Sequence, residues 1–244
     1  VDGRGEKFDY LFCGANNFDT LVISNIDGEN ICNGAASSGL GNFLVLNGLP
    51  GFFNANNLGY EGGSHINAVV MNNIYGWPPL SYANARIDYV LLNDYERKTD
   101  FGFDRHIELN GPSQADIGLF QLNNVRADSL RYEKGDSPKI GLLMYDGIDI
   151  ESFSESEAGR WPASKILMPS GILRDFQVSY DLEDNLPLGV RYSEKIFPGP
   201  DYDTLRKKYL FDEFTSLASS MSNESIQQVV TSTKKMQQLY SKIS

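Results

Sequence analysis

Between Lys7 and Arg86 the chain contains no Lys or Arg, and only five acids, Asp9, Asp19, Asp27, Glu29 and Glu61, interrupt the same stretch. Solvent-facing surface ordinarily carries charges of both signs on roughly a quarter to a third of its residues. A segment this long with so few charges is expected to be largely covered, either by the rest of the chain or by copies of itself, because interface cores share the depletion. Gly and Asn take the place of charge, as in GANN at 14–17, NGAASSGLGN at 33–42, NANN at 54–57 and MNNIYGW at 71–77. Both tolerate positive φ and tight turns. The apolar runs at 8–12, 20–23, 42–46 and 67–71 therefore read as strands joined by irregular connections.

The remainder divides into two further zones. From 86 to 200 charge content is ordinary and residues alternate as strands do. Runs at 86–92, 117–122 and 139–145 are strand candidates. So are Phe103, Arg105, Ile107 and Leu109, which share one side of a strand, and the alternating sets at 172–180 and 188–196. Short strands, frequent turns and no intervening helical periods predict a mainly β fold, an antiparallel β-sandwich of jelly-roll type, over 1–200. Its charge-poor part is 8–85 and its ordinary part 86–200, and no internal repeat of fixed period is evident. From Asp201 to Ser244 there is neither Gly nor Pro, which predicts a C-terminal helical arm over 201–244. Leu210, Phe214, Leu217 and Met221 fall on one face of a first helix, with Ser222 or Asn223 to cap a second. In the second, Ile226, Val229, Thr233, Met236, Tyr240 and Ile243 recur at 3-4 spacing. That stripe suits packing on the chain's own domain or on a partner.

Composition excludes several classes. A net charge of -11 argues against nucleic-acid binding, which needs a basic surface. No apolar run is long enough to span a bilayer, so no membrane insertion is expected. VDGRGEKFDY at the start lacks the basic and apolar regions of a targeting segment. Cys13 and Cys32 are too few for a disulfide scaffold or a cysteine-only zinc site. Paired, they would add about 3 kcal/mol by constraining the unfolded chain; unpaired, they are small hydrophobes. The glycines at 34–42 lack the Lys-Ser/Thr of a phosphate loop and the third Gly of a dinucleotide fingerprint. No cofactor is expected.

Two constellations carry candidate chemistry. Asp104, His106 and Glu108 alternate onto one strand face, about 7 Å between successive members, and carboxylate-imidazole-carboxylate is a donor set for a divalent metal. A solvated strand face is the commoner origin of such a row, and the other histidine, His65, would have to converge on it. Trp77, Tyr82 and Trp161 belong to two Trp-Pro turns whose rings suit stacking on sugars, or simply pin long loops. The acid-rich run Asp146, Asp149, Glu151 fails the spacing of a calcium loop.

The leading expectation is a structural protein acting as a subunit of an oligomeric complex, with a virus or bacteriophage particle component as its concrete form. Phe43, Val69, Ile226, Val229, Met236, Tyr240 and Ile243 are the candidate interface, with partners either copies of the chain or other subunits. The sequence leans away from an enzyme and towards a virion or extracellular setting. The alternative is an extracellular carbohydrate-binding protein or glycoside-acting enzyme with a glycan partner, and a third is a toxin or adhesin subunit.

Overall fold

Five times along the chain an apolar residue is followed by Asn or Ser, then by Asn, Gly or Asp, then by another apolar residue. The five are Ile23-Ser24-Asn25-Ile26, Leu46-Asn47-Gly48-Leu49, Met71-Asn72-Asn73-Ile74, Leu92-Asn93-Asp94-Tyr95 and Leu122-Asn123-Asn124-Val125. The third residue of each has positive φ, at 54°, 65°, 54°, 51° and 49°. Gly, Asn and Asp are the types that enter this region most readily. The resulting bend turns the fourth residue, Ile26, Leu49, Ile74, Tyr95 or Val125, into the interior, where all five are buried.

The computed structural model describes residues 1–50, 55, 58–59, 61, 63–75, 84–96, 106–108, 116–131, 139–146, 149–152, 163–167, 194–196, 200–222 and 224–244. Its strands are β1 (Phe18–Ser24), β2 (Leu40–Pro50), β3 (His65–Tyr75), β4 (Arg86–Glu96), β5 (His106–Glu108), β6 (Asp116–Arg131), β7 (Lys139–Asp146), β8 (Asp149–Ser152), β9 (Ala163–Leu167) and β10 (Glu194–Ile196). Three helices follow, α1 (Pro200–Lys208), α2 (Phe211–Met221) and α3 (Ile226–Ile243). The strands form one parallel sheet in the order β1-β2-β3-β4-β6-β7-β9-β10, with β5 and β8 also paired to β6.

Each bend residue's predecessor stands beside its equivalent in the next strand: Ser24, Asn47, Asn72, Asn93, Asn123 and Asp146 are in register. From Ser24 to Asn123 the successive intervals along the chain are 23, 25, 21 and 30. The connections stack as well, through Cys32 N–H to Leu11 O, Ala55 N–H to Ile31 O, Gly59 N–H to Ala35 O and Asn84 N–H to Leu58 O. Each coil of chain therefore lies on the one before, and the described strands and turns build a parallel β-solenoid. Inside it, strand residues such as Leu44, Leu46, Val69 and Val90 meet turn residues such as Ile31, Cys32, Ala35 and Leu58 in one dry core.

The outer face of the same strands is apolar too. Val22, Phe43, Val45, Val70, Tyr89 and Leu91 pack beneath Phe211, Phe214, Ala218 and Met221 of α2 and Val229 and Met236 of α3. Leu210, with φ of 52°, makes the corner between α1 and α2. Ser225 precedes α3, its backbone N–H donating to Gln228 Oε1 at 2.9 Å.

The expected antiparallel sandwich of jelly-roll type is overturned, because every strand pairing among the described residues is parallel. The expectation rested on the absence of crossover helices, which parallel neighbours usually need. Between β1 and β2, where the connection is described throughout, the crossover is a stacked turn segment, which supplies the same return path without a helix. Coil lengths that vary from one turn to the next also explain why no fixed period was apparent. The C-terminal helices are present, three in number instead of two, and the chain's own sheet covers their apolar faces.

Candidate functional site

Parallel stacking converts one side chain per coil into a column with a rise of about 4.8 Å per strand. The longest column begins at Ser24. Asn47 Nδ2 donates to Ser24 Oγ at 2.9 Å, Asn72 Nδ2 to Asn47 Oδ1 at 2.7 Å, Asn93 Nδ2 to Asn72 Oδ1 at 2.6 Å and Asn123 Nδ2 to Asn93 Oδ1 at 2.5 Å. A primary amide has donors and an acceptor to spare, and the remaining donors hold α2: Asn47 reaches Met221 O, Asn72 reaches Ser222 Oγ and Asn93 reaches Ser219 Oγ. At the far end Asp146 accepts from Arg206 Nη2 at 2.9 Å. The same guanidinium forks onto Asp212 and lies 4.4 Å over the Phe211 ring. One arginine thus ties the last rung to both α1 and α2.

A second column lies at the other end of the strands. Asn42 Nδ2 donates to Asp19 Oδ1 at 3.0 Å and Asn67 Nδ2 to Asn42 Oδ1 at 2.9 Å. Asp88 occupies the equivalent place on β4 and gathers three polar side chains. His65 Nε2 lies 2.8 Å from Asp88 Oδ2, Arg86 Nε donates to Oδ1 at 3.2 Å, and Tyr240 Oη donates to Oδ2 at 3.2 Å. A carboxylate only accepts, so the proton on the His65 contact sits on Nε2. Partial burial, the Asp88 charge and this hydrogen bond push the Tyr240 phenol up to about 12. The cluster joins two coils to the last turns of α3, with Gln237 Nε2 donating to Thr20 Oγ1 at 2.8 Å nearby. Chemically it is a His–carboxylate pair like the orienting half of a general-base relay. Its three donors already satisfy the carboxylate, so its first effect is to hold α3.

A third feature is the groove along the outer side of the helix pair. It has a volume of about 540 Å³ and is lined by Asp212, Glu213, Ser216 and Leu217 of α2 and Lys235, Gln238, Leu239 and Lys242 of α3.

The residues singled out in the sequence are distributed as follows. Val69 lies in the solenoid core, while Phe43, Val229 and Met236 lie between sheet and helices; all four are buried within the chain. Tyr240 sits edge-on to Phe43 at 6.0 Å between ring centres, and Ile226 and Ile243 are half-buried on the same layer. His106 and Glu108 fall on β5, and their side chains, like Asp104, lie outside the described residues. Trp77, Tyr82 and Trp161 lie outside them as well. Among the described residues no group of three or more His, Cys, Asp or Glu is placed to hold a metal. Cys13 and Cys32 are free thiols, the first exposed and donating to Asn30 O at 3.0 Å, the second buried and pushed up by desolvation. No described helix is long and apolar enough to cross a membrane.

No protein-family model matches the chain, and neither a curated protein nor a solved structure matches it. The sequence reading missed His65–Asp88–Tyr240, whose contacts span 23 and 152 positions of chain. Its one available signal was the polar residue before an outward apolar one, in Asn42-Phe43, Asn67-Ala68 and Asp88-Tyr89.

Proposed function

We propose that the protein is a structural subunit of an oligomeric assembly, with a virus or bacteriophage particle component as the concrete form. The observation that supports this reading is the division of labour between coils and helices. The coils form a body whose buried polar columns pair internally, while the helical layer turns a charged, grooved surface outward. Stacked-coil proteins present surface along one axis, which suits repeated contact with neighbours. Phe43 and Val69 of the charge-poor stretch are buried within the chain, so the contact surface lies elsewhere than at these two. Light scattering across a concentration series tests the reading. The expected mass is a multiple of the 27.2 kDa chain. A single-chain mass at every concentration, combined with binding on a glycan array, overturns it in favour of carbohydrate recognition.

A further inference from the structure

The helical segment 201–244 carries six basic residues against five acidic ones, whereas the rest of the chain carries fifteen against twenty-seven. Copies of a protein with net charge -11 repel one another over most approaches. The helical layer is where that repulsion is weakest. Its outward groove is also polarised: α2 supplies Asp212 and Glu213 on one wall, α3 supplies Lys235 and Lys242 on the other, and Leu217 and Leu239 complete the lining. Asp212 is held by Arg206. Glu213, Lys235 and Lys242 are unpaired among the described residues. Residues from the start of α2 and the end of α3 line the same groove, so the two helices run antiparallel.

We infer that this groove docks the same groove of a second copy about a two-fold axis parallel to the helices, forming a four-helix contact. The inference rests on the assembly reading above and names its partner and its surface. An isologous contact requires a self-complementary patch. Rotation about that axis meets the requirement here, since the acidic α2 wall of one copy faces the basic α3 wall of the other, and the reverse holds at the symmetric position. Glu213 then pairs with a lysine across the axis, and the Leu217 and Leu239 side chains of the two copies close against one another. A heterologous contact would satisfy only one wall per copy.

Charge reversal tests this. Glu213 and Lys235 are exposed, so Glu213→Lys and Lys235→Glu leave the packing beneath them untouched, and circular dichroism verifies the fold. Sedimentation equilibrium of the full chain should give a concentration-dependent dimer. Each variant alone should weaken it by at least about tenfold, because like charges then face each other twice per dimer. An equimolar mixture of the two variants should recover association, since the introduced lysine of one copy then meets the introduced glutamate of the other. Unchanged association in both variants, or a mixture no stronger than its parts, overturns the groove contact and leaves the assembly reading standing. A monomeric wild type overturns the contact, and glycan binding by that monomer brings down the assembly reading with it.

Discussion

The two faces of the same strands are both apolar, yet different chemistry and different stretches of chain cover them. Inner-face residues such as Leu46, Val69 and Leu92 meet equivalents one coil away, at the same 21 to 30 positions of separation that part the amides beside them. The outer face meets the helices, and the side-chain hydrogen bonds that join the two layers span 60 to 217 positions. Near-neighbour packing can propagate from coil to coil, as in other repeat architectures. The outer layer requires most of the chain to be in place before α2 and α3 find their seat, which is the slower kind of contact to form. The inner face therefore defines the body, and the outer face attaches a separate layer to it.

The largest expected effect separates the two faces with one substitution each. Val69→Lys places an unpaired charge at a fully buried site between coils, and cooperative thermal unfolding should disappear. Phe43→Lys strikes the outer face beneath Tyr240. Hydrogen exchange should then show loss of protection in α3 with the strand amides still protected. Equal loss in strands and helices would mean that the faces form one cooperative unit.

A smaller effect belongs to the column that links them. Asn72→Ala removes the donor to Asn47 and the acceptor for Asn93 in one step. Denaturant unfolding should register a loss of about 1–3 kcal/mol, the range for stranding a buried polar partner. Ser24→Ala strands only the end of the column and should cost less. Equal costs at the two positions would show that the amides act singly and not as a ladder.

The smallest effect is a pH dependence confined to the outer layer. Tyr240 is held up to about 12 from an ordinary 10.0. The folded state therefore keeps its proton where the unfolded chain has lost it. That contribution is fully present below pH 10 and disappears as pH rises towards 12. Tyr240→Phe should flatten the stability profile across this window without changing its slope near neutral pH. Partial exposure of the ring keeps the change modest. An unaltered slope in the variant would remove Tyr240 as the titrating group behind the profile.

The strands at 20–23, 42–46, 67–71, 86–92, 117–122 and 139–145 and the helical end could be read from local apolar patterning and from the absence of Gly and Pro after 200. The run 8–12, also expected as a strand, is a turn, and 172–180 and 188–193 lie outside the described residues. The direction of strand pairing could not be read. The run Asn42–Leu46, an Asn followed by four apolar residues, marks a strand apolar on both faces but does not by itself fix its neighbour's direction. The decisive information was the apolar-Asn-Asn/Gly/Asp-apolar tetrad, and intervals as unequal as 21 and 30 hid its recurrence. Within the charge-depleted stretch β2 and β3 are largely buried while Phe8, Tyr10 and Leu40 are exposed, so the depletion carried no information on what is buried or on what does the burying. Ile31, Cys32 and Ala35 lie in connections that looked like surface loops and instead line the core. The His65–Asp88–Tyr240 cluster depends on the helix returning to the sheet, which no local pattern encodes.

The amide column also changes what length means in this chain. A rung is placed by its bend, where the backbone enters positive φ, and not by a count of residues since the previous rung. The step from Asn72 to Asn93 is 21 long and the step from Asn93 to Asn123 is 30, yet both arrive in register. The molecule thus meters itself in turns, as a screw does, and a longer thread between two bends shifts no rung that follows.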